Sequence, residues 1–513
     1  MILSLLIAVP MLGALVVALL PRTANGALAK QVAVGVSLLT LVMSLFTLRE
    51  FDLDSAGYQL TENAEWIGAL GVHWALGVNG IGLTMIFLTT VLTPIVLIAS
   101  WHDKEHEPER TNTYFAWMLV LEALAIGVFS ATDVFMFYVL FEATLIPIYF
   151  LIGAHGTGQR SYAAVKFLIY NLVGGLLMLA SIVGLYVLST QQGGPSFLHS
   201  DLMRLDMSQS TERLLFLGFF IAFAIKAPLW PLHTWLPDAA ASATPGTSVL
   251  MVSVIDKVGT FGMIRWCLEL FPGASEWASP VVLVLAAISI IYGALLAIGQ
   301  DDLRRLIALT SVSHFGFIVM GIFAFTTVSM TGSVLYMFNH GLSTAVLFLV
   351  AGMMIYRRGS GRISDFGGVQ KVAPVLGGVL LIGGLSSLSL PGLAPFVSEF
   401  LVLAGTFTRS IPIAAVATLG IVLAAVYILL MYQRTMTGPL NEETAKFTDL
   451  SRREVGLLAP AIALIIGLGF YPQPLLDLIE PAVTPVVQTV GVGDPPQRAL
   501  FDISSSTTEG GHE

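Results

Sequence analysis

Runs of about twenty apolar residues recur along the whole chain, and a helix needs roughly 20 such residues to cross a bilayer. They lie near 2–20, 29–48, 78–100, 112–131, 133–153, 164–189, 213–230, 246–268, 279–299, 304–326, 331–356, 373–408, 411–433 and 454–472. This spacing predicts an all-α polytopic membrane protein with about fourteen transmembrane helices. The charge inventory agrees. Only 11% of 513 residues are Asp, Glu, Lys or Arg, against about 25% in a soluble domain. That is too few to solvate so large a surface, which excludes a soluble enzyme, a nucleic-acid binder and a disordered scaffold. The single cysteine, Cys267, excludes a disulfide framework, a Cys-ligated iron–sulfur cluster and a Cys-rich zinc site. No Walker A, Rossmann glycine or HExxH motif is present.

Several segments carry further expectations. The first apolar run has no basic flank and no small-residue cleavage site after it, so it is expected to be a retained helix rather than a signal peptide. The segment 373–408 is too long and too rich in Pro and Gly for one straight helix. The acidic loop 49–77 is expected to form a short hairpin or a surface helix. Glycine pairs at 174–175, 377–378 and 383–384 suit close helix packing better than phosphate binding. From Gln473 the tail carries Pro, then Ser, Thr and Gly, and its end, 502–513, is expected to be disordered.

Lys and Arg set the orientation. Sixteen fall on one set of loops: Arg22, Lys30, Lys104, Arg110, Arg160, Lys166, Arg304, Arg305, Arg357, Arg358, Arg362, Lys371, Arg434, Lys446, Arg452 and Arg453. Six fall on the other: Arg49, Arg204, Arg213, Arg265, Arg409 and Arg498. The richer side is expected to be cytoplasmic. With fourteen spans, both termini then face outward.

The remaining two cations, Lys226 and Lys257, stand inside apolar runs, as do Glu142, His314, His340 and Glu399. An ionisable residue at the centre of a membrane helix costs at least about 2.5–3.5 kcal/mol, which makes each one a functional candidate. The plain alternative is a satisfied polar residue that holds helices together. Six alternating acids, bases and imidazoles on six helices fit that alternative poorly. They suit proton transfer instead: burial favours the neutral form of an acid or base, a nearby opposite charge favours the ionised form, and imidazoles relay between such sites. A transition-metal site at His314 and His340 lacks carboxylate or thiolate company, and a bis-histidine haem leaves the lysines and acids unexplained.

Two apolar segments are broken beside a charge. Pro228 follows Lys226 in Pro228-Leu229-Trp230-Pro231, and Pro391 lies in Leu390-Pro391-Gly392-Leu393-Ala394-Pro395, just before Glu399. Paired Pro/Gly-interrupted helices in matching positions point to an inverted-repeat transporter. They fall in the seventh and twelfth helices, each fourth in a block of five. The expected division is 1–111, helices 1–3 with an acidic outward loop; 112–270, a first repeat of helices 4–8; 271–434, a second, inverted repeat of helices 9–13; and 435–513, helix 14 with an outward tail.

Secondary candidates are Glu122, in the fourth span, and His233, beside the first break, where proton entry and plain hydrogen bonding are equally fitting. Asp133 follows Thr132 and is expected to cap a helix. Asp256 faces about 100° away from Lys257 on a helix and need not neutralise it. Asp301-Asp302 with Arg304-Arg305 is expected to be a solvated turn.

The stretch Phe223-Ala-Ile-Lys226-Ala-Pro-Leu-Trp-Pro-Leu-His-Thr-Trp-Leu-Pro-Asp238 resembles the hallmark of the antiporter-like membrane subunits of complex I, the proton-pumping NADH:quinone oxidoreductase. Supporting matches are Phe141-Glu142 with Leu145-Ile-Pro147, Lys257-Val-Gly with Gly262 and Arg265, and Gln300-Asp-Asp-Leu-Arg-Arg-Leu-Ile-Ala. Ser311-Val-Ser-His314-Phe-Gly, Asn339-His340-Gly and Leu390-Pro391-Gly with Ser398-Glu399-Phe400 complete the set. Relatives occur in multisubunit sodium/proton antiporters. The resemblance further implies the paralogue with Glu at position 399, rather than subunits L and N, which carry Lys there; nothing resembles the long lateral C-terminal helix of subunit L. The chain departs from the family at Ala240 and Ser242, where a loop His and Glu are usual, so no role of those two residues carries over.

The expected function is therefore a proton-translocating membrane-arm subunit that couples remote NADH oxidation and quinone reduction to pumping. Glu142 tunes Lys226, Lys257 receives the charge, and His314 and His340 relay it to Glu399. No cofactor is expected in this chain; flavin and iron–sulfur clusters belong to partner subunits. The implied partners are the other membrane subunits, especially L and N and the lateral helix of L, in a bacterial inner membrane. The rival readings are a sodium/proton antiporter subunit and a haem- or quinone-binding redox protein.

Overall fold

The computed structural model describes residues 1–21, 26–102 and 108–494. Arg22, Lys104 and Arg498 of the orientation argument, and the expected disorder at 502–513, lie outside them.

The chain opens with α1 (Ile2–Leu19) and α2 (Ala27–Thr47). The acidic loop then forms a hairpin of β1 (Gln59–Ile67) and β2 (Val72–Val78), antiparallel with Asn63 opposite Ala75. Gly71 closes the hairpin turn at φ +69°, and a Cβ there would strike the Pro195 carbonyl. Next come α3 (Gly80–Ala99), α4 (Thr111–Ser130), α5 (Val134–Ala143), α6 (Leu145–Gly153), α7 (Arg160–Gln192), the one-turn α8 (His199–Leu202) and α9 (Gln209–Lys226). They are followed by α10 (Trp235–Ser242), α11 (Pro245–Val249), α12 (Lys257–Gly262), α13 (Pro272–Ile298), α14 (Leu303–Phe323) and α15 (Thr327–Arg358). The last are α16 (Pro374–Ser387), α17 (Ala394–Arg409), α18 (Ile411–Met436), α19 (Arg452–Phe470) and α20 (Gln473–Val490).

Among the described residues, twelve segments are long and apolar enough to cross a membrane. The two other predicted segments, 213–230 and 373–408, are those that the prolines interrupt. There α9 stops at Lys226 and α10 begins at Trp235, while α16 stops at Ser387 and α17 begins at Ala394. Proline offers no N–H to continue a helix, and its ring clashes with the carbonyl four residues back.

Burial divides the bundle into a centre and a rim. The hydrophobic windows of α14, α15 and the segment Pro245–Leu268 are wholly buried, whereas α7, α13 and α18 keep apolar side chains such as Leu176, Val281 and Val422 exposed. Exposed leucine and valine on a rim helix fit a lipid solvent.

Two features were not assigned from sequence. The span predicted at 246–268 is not a plain α-helix: π-helical segments Leu250–Ile255 and Met263–Leu268 flank α12. The tail also begins with α20, whose Leu478, Ile479, Val483, Val486 and Val490 bury one face against α3 and α15. Its apolar residues recur at helical spacing. Pro481 and Pro485 obscured that pattern.

Candidate functional site

Lys226 owes its position to the break. It is the last residue of α9 and fully buried. Pro228 has no N–H for the Ala224 carbonyl, which takes the Leu229 amide instead at 3.0 Å, and the Ile225 carbonyl left free accepts the Trp235 indole N–H at 3.0 Å. The Lys226 ammonium donates to Thr144 Oγ1 at 3.4 Å and lies 5.1 and 5.7 Å from the ring centroids of Phe141 and Phe167. Cation–π contacts contribute about 0.5–1 kcal/mol at exposed sites and about 2 kcal/mol when desolvated.

Thr144 sits at the junction of α5 and α6, where Pro147 removes the bond to the Ala143 carbonyl. Glu142 lies just before this junction and is half-buried. Its carboxylate rests on the bare backbone of Gly175 in α7, where a Cβ would run into it. Among the described residues no contact ion pair joins Glu142 to Lys226; the two act on each other through space. Among the described residues, Oε1 of Glu142 meets no hydrogen-bond partner.

The second group is a continuous contact chain. Lys257 Nζ donates to the Val252 carbonyl at 2.8 Å and lies 2.7 Å from His340 Nδ1. His340 Nε2 faces Thr344 Oγ1 at 3.1 Å, which leaves Nδ1 as the acceptor for an ammonium. The His340 and His314 rings stand 5.2 Å apart, centroid to centroid. His314 Nδ1 meets the Tyr336 hydroxyl at 2.7 Å, and that hydroxyl donates to Glu399 Oε2 at 2.7 Å. Ser389, in the second break at φ +59°, also donates to Glu399 Oε2, at 2.5 Å. His314 Nε2 faces Ser387 Oγ at 3.3 Å. Lys257, His340, His314 and Glu399 are each at most 4% exposed, so these contacts form in a low-dielectric interior where they count for more than in water.

The secondary candidates separate. Glu122 is buried on α4, and among the described residues neither carboxylate oxygen has a hydrogen-bond partner. It stands apart from the line. His233 is buried beside the first break, with its ring 5.2 Å from Tyr292 and Nδ1 unpartnered. Asp133 caps α5 through Met136 N at 2.9 Å. Asp302 caps α14, while Arg305 leaves the turn to pair with Asp238 at 2.8 Å; Asp238 also holds Lys166 at 2.7 Å. The turn expected to be merely solvated therefore ties α10 to α7 and α14.

Sequence reasoning missed the uncharged connectors Thr144, Tyr336 and Ser389. The only available signal was helical spacing, since Tyr336 lies one turn before His340. Among the described residues, no group of three or more His, Cys, Asp or Glu is placed to hold a metal ion.

The family model described as "NADH:quinone oxidoreductase/Mrp antiporter, TM" matches residues 131–424. The chain is 48% identical to the NADH-quinone oxidoreductase subunit M of Mycobacterium tuberculosis strain H37Rv, with 99% of each chain covered. It is also similar to a chain of the respiratory complex I from Thermus thermophilus with bound NADH, at TM-score 0.86 and 30% identity, covering 96% of this chain and 100% of that one. A chain of the Mrp complex from Dietzia sp. DQ12-45-1b shares the fold at TM-score 0.82 and 21% identity, with 95% and 98% covered.

Proposed function

The chain belongs to the NADH:quinone oxidoreductase/Mrp antiporter family of membrane subunits, and on that premise we propose that it moves protons along its buried line of Glu, Lys and His. It is a multi-pass membrane protein, most like subunit M (chain 4) of NADH-quinone oxidoreductase. It works in the membrane arm of the respiratory complex, where redox energy released in other subunits drives proton translocation.

The contact chain Lys257–His340–His314–Tyr336–Glu399 carries this reading. Lys226, tuned by Glu142, exchanges protons with the basic end of the bundle, past His233. Lys257 receives the charge, His340 and His314 pass it on, and Glu399 is the terminal site. The two helix breaks stand in matching positions of two inverted five-helix repeats, 112–270 and 271–434. The N-terminal helices of 1–111 and the final span and tail of 435–513 flank these repeats. The basic end is cytoplasmic, both termini face outward, and the membrane is the bacterial inner membrane. The neighbours in the arm are the paralogous subunits L and N and the lateral helix of L, with flavin and iron–sulfur clusters in the redox subunits.

The test is NADH-driven pumping by the assembled complex in sealed vesicles. Lys226→Ala and Glu142→Ala are expected to lose most of it, and wild-type pumping by either would refute the route. Glu399→Gln addresses the terminal site separately. The family model covers both oxidoreductase and antiporter subunits, but the likeness to the Mrp chain is at the level of fold, whereas the 48% identity is to a named oxidoreductase subunit. A haem reading gains no support from His314 and His340, because all four ring nitrogens already face hydrogen-bonding groups.

A further inference from the structure

Asp256 immediately precedes Lys257, at the point where the π-helical segment Leu250–Ile255 gives way to α12. Its amide bonds five residues back to the Met251 carbonyl at 2.9 Å, the wide π-turn. Such turns re-aim side chains and concentrate at functional positions.

Residues three apart share a helix face, so Asp256, Gly259 and Gly262 form one stripe. A Cβ on Gly259 would sit 2.6 Å from both the Ala227 amide and the Phe223 carbonyl. Gly259 is therefore pressed backbone-to-backbone against the end of α9, where Lys226 stands, and Gly262 lies against the Phe223 ring of the same helix. Lys257, turned by about 100°, occupies the adjoining face and reaches His340. The same turn thus presents a carboxylate toward one buried lysine and carries the second.

Asp256 is fully buried, and among the described residues neither carboxylate oxygen has a hydrogen-bond partner. Its charge acts on both Lys226 and Lys257. An unpartnered buried carboxylate is expensive. A stabilising role would be filled better by Asn or Leu.

We propose that Asp256 is the relay carboxylate that joins the Glu142–Lys226 half of the line to the Lys257–Glu399 half. Neither lysine stands at hydrogen-bond distance from Asp256 among the described residues, so each transfer runs through a bridging water or a swing of the side chains: the Lys226 ammonium gives its proton to the Asp256 carboxylate, leaving a neutral amine and a neutral acid. The acid then protonates the neutral amine of Lys257 and returns to the carboxylate, so one proton and one positive charge have moved between the lysines. This rests on the proton route proposed above.

Asp256→Asn keeps the shape and removes the acid, while Asp256→Glu keeps the acid. The amount of assembled complex and NADH-driven pumping in sealed vesicles are measured for both, beside Lys226→Ala. Asp256→Asn is expected to assemble normally and lose about tenfold or more of the pumping, since a positioned proton-transfer group supplies on the order of 100-fold. Asp256→Glu restores most of it. Wild-type pumping by Asp256→Asn overturns the inference. Loss in both variants alike, through pumping or failed assembly, also overturns it and makes Asp256 a structural residue. If Lys226→Ala pumps normally, the route itself is wrong. If Lys226→Ala fails and Asp256→Asn pumps, only the relay assignment falls.

Discussion

The Tyr336 hydroxyl donates to the Glu399 carboxylate at 2.7 Å, and the same oxygen lies 2.7 Å from His314 Nδ1. One phenol thus spans the space between the His314 imidazole and the Glu399 carboxylate. Because the hydroxyl proton points to Glu399, the oxygen accepts from His314, and both neighbours share one switchable group.

Tyr336→Phe keeps the ring and removes the bridge. The lost hydrogen bond to a carboxylate is worth about 1.5–3 kcal/mol, which corresponds to roughly tenfold or more in rate. NADH-driven pumping should fall by that order while the amount of assembled complex, measured on native gels, stays level.

Gly175→Ala tests how Glu142 is held. The new methyl occupies the place of the Glu142 carboxylate, so the flexible acid swings away rather than the helices parting. Pumping should drop, with little change in complex stability. A fall in assembly and none in pumping per assembled complex would show that Gly175 serves packing alone.

The Asp238 junction predicts a dependence on pH. Burial pushes its carboxyl up, but hydrogen bonds and charge from Lys166 and Arg305 outweigh it and hold the group below the usual carboxylate range. Its stabilising effect is therefore fully present above the unfolded value of about 4 and fades as pH falls through the lower folded value. The thermal midpoint of the solubilised complex should be lower for Asp238→Asn at neutral pH, and the difference should shrink on acidification. High salt should also shrink it, since the pair is partly exposed.

Docking of α20 depends on Gly80, where a Cβ would strike the Leu478 carbonyl. Gly80→Val forces backbone from backbone, and overpacking of this kind costs about 1–3 kcal/mol. Limited proteolysis should then cut within 473–490, a segment the wild-type protein protects.

Much of the membrane architecture could be anticipated, because hydrophobic length and proline are local properties. Both interrupted helices were anticipated at Pro228 and Pro391. The hairpin was one of two alternatives weighed for 49–77. The helix α20 was missed because two prolines mask its apolar stripe, and the π-turns around α12 were missed because no residue type announces them. In the site, the charged members stood out because each is costly in an apolar run. Tyr336, Ser389 and Thr144 did not, since tyrosines and hydroxyl residues are ordinary in membrane helices and bond cheaply to nearby carbonyls.

The sequence by itself determined that this chain lives in a bilayer, that two of its helices break beside Lys226 and Glu399, and that the ionisable residues Glu142, Lys226, Lys257, His314, His340 and Glu399 lie within its apolar runs. Only the tertiary structure decided which of them touch. It set Lys226 on Thr144 rather than on Glu142, ordered the imidazoles as His340 then His314, inserted Tyr336 before Glu399, and buried Asp256 in the turn before α12. The physical reason is that insertion cost and periodicity act within one helix. A contact between helices depends on rotation about the axis, and one extra residue in a π-turn changes that by about 100°.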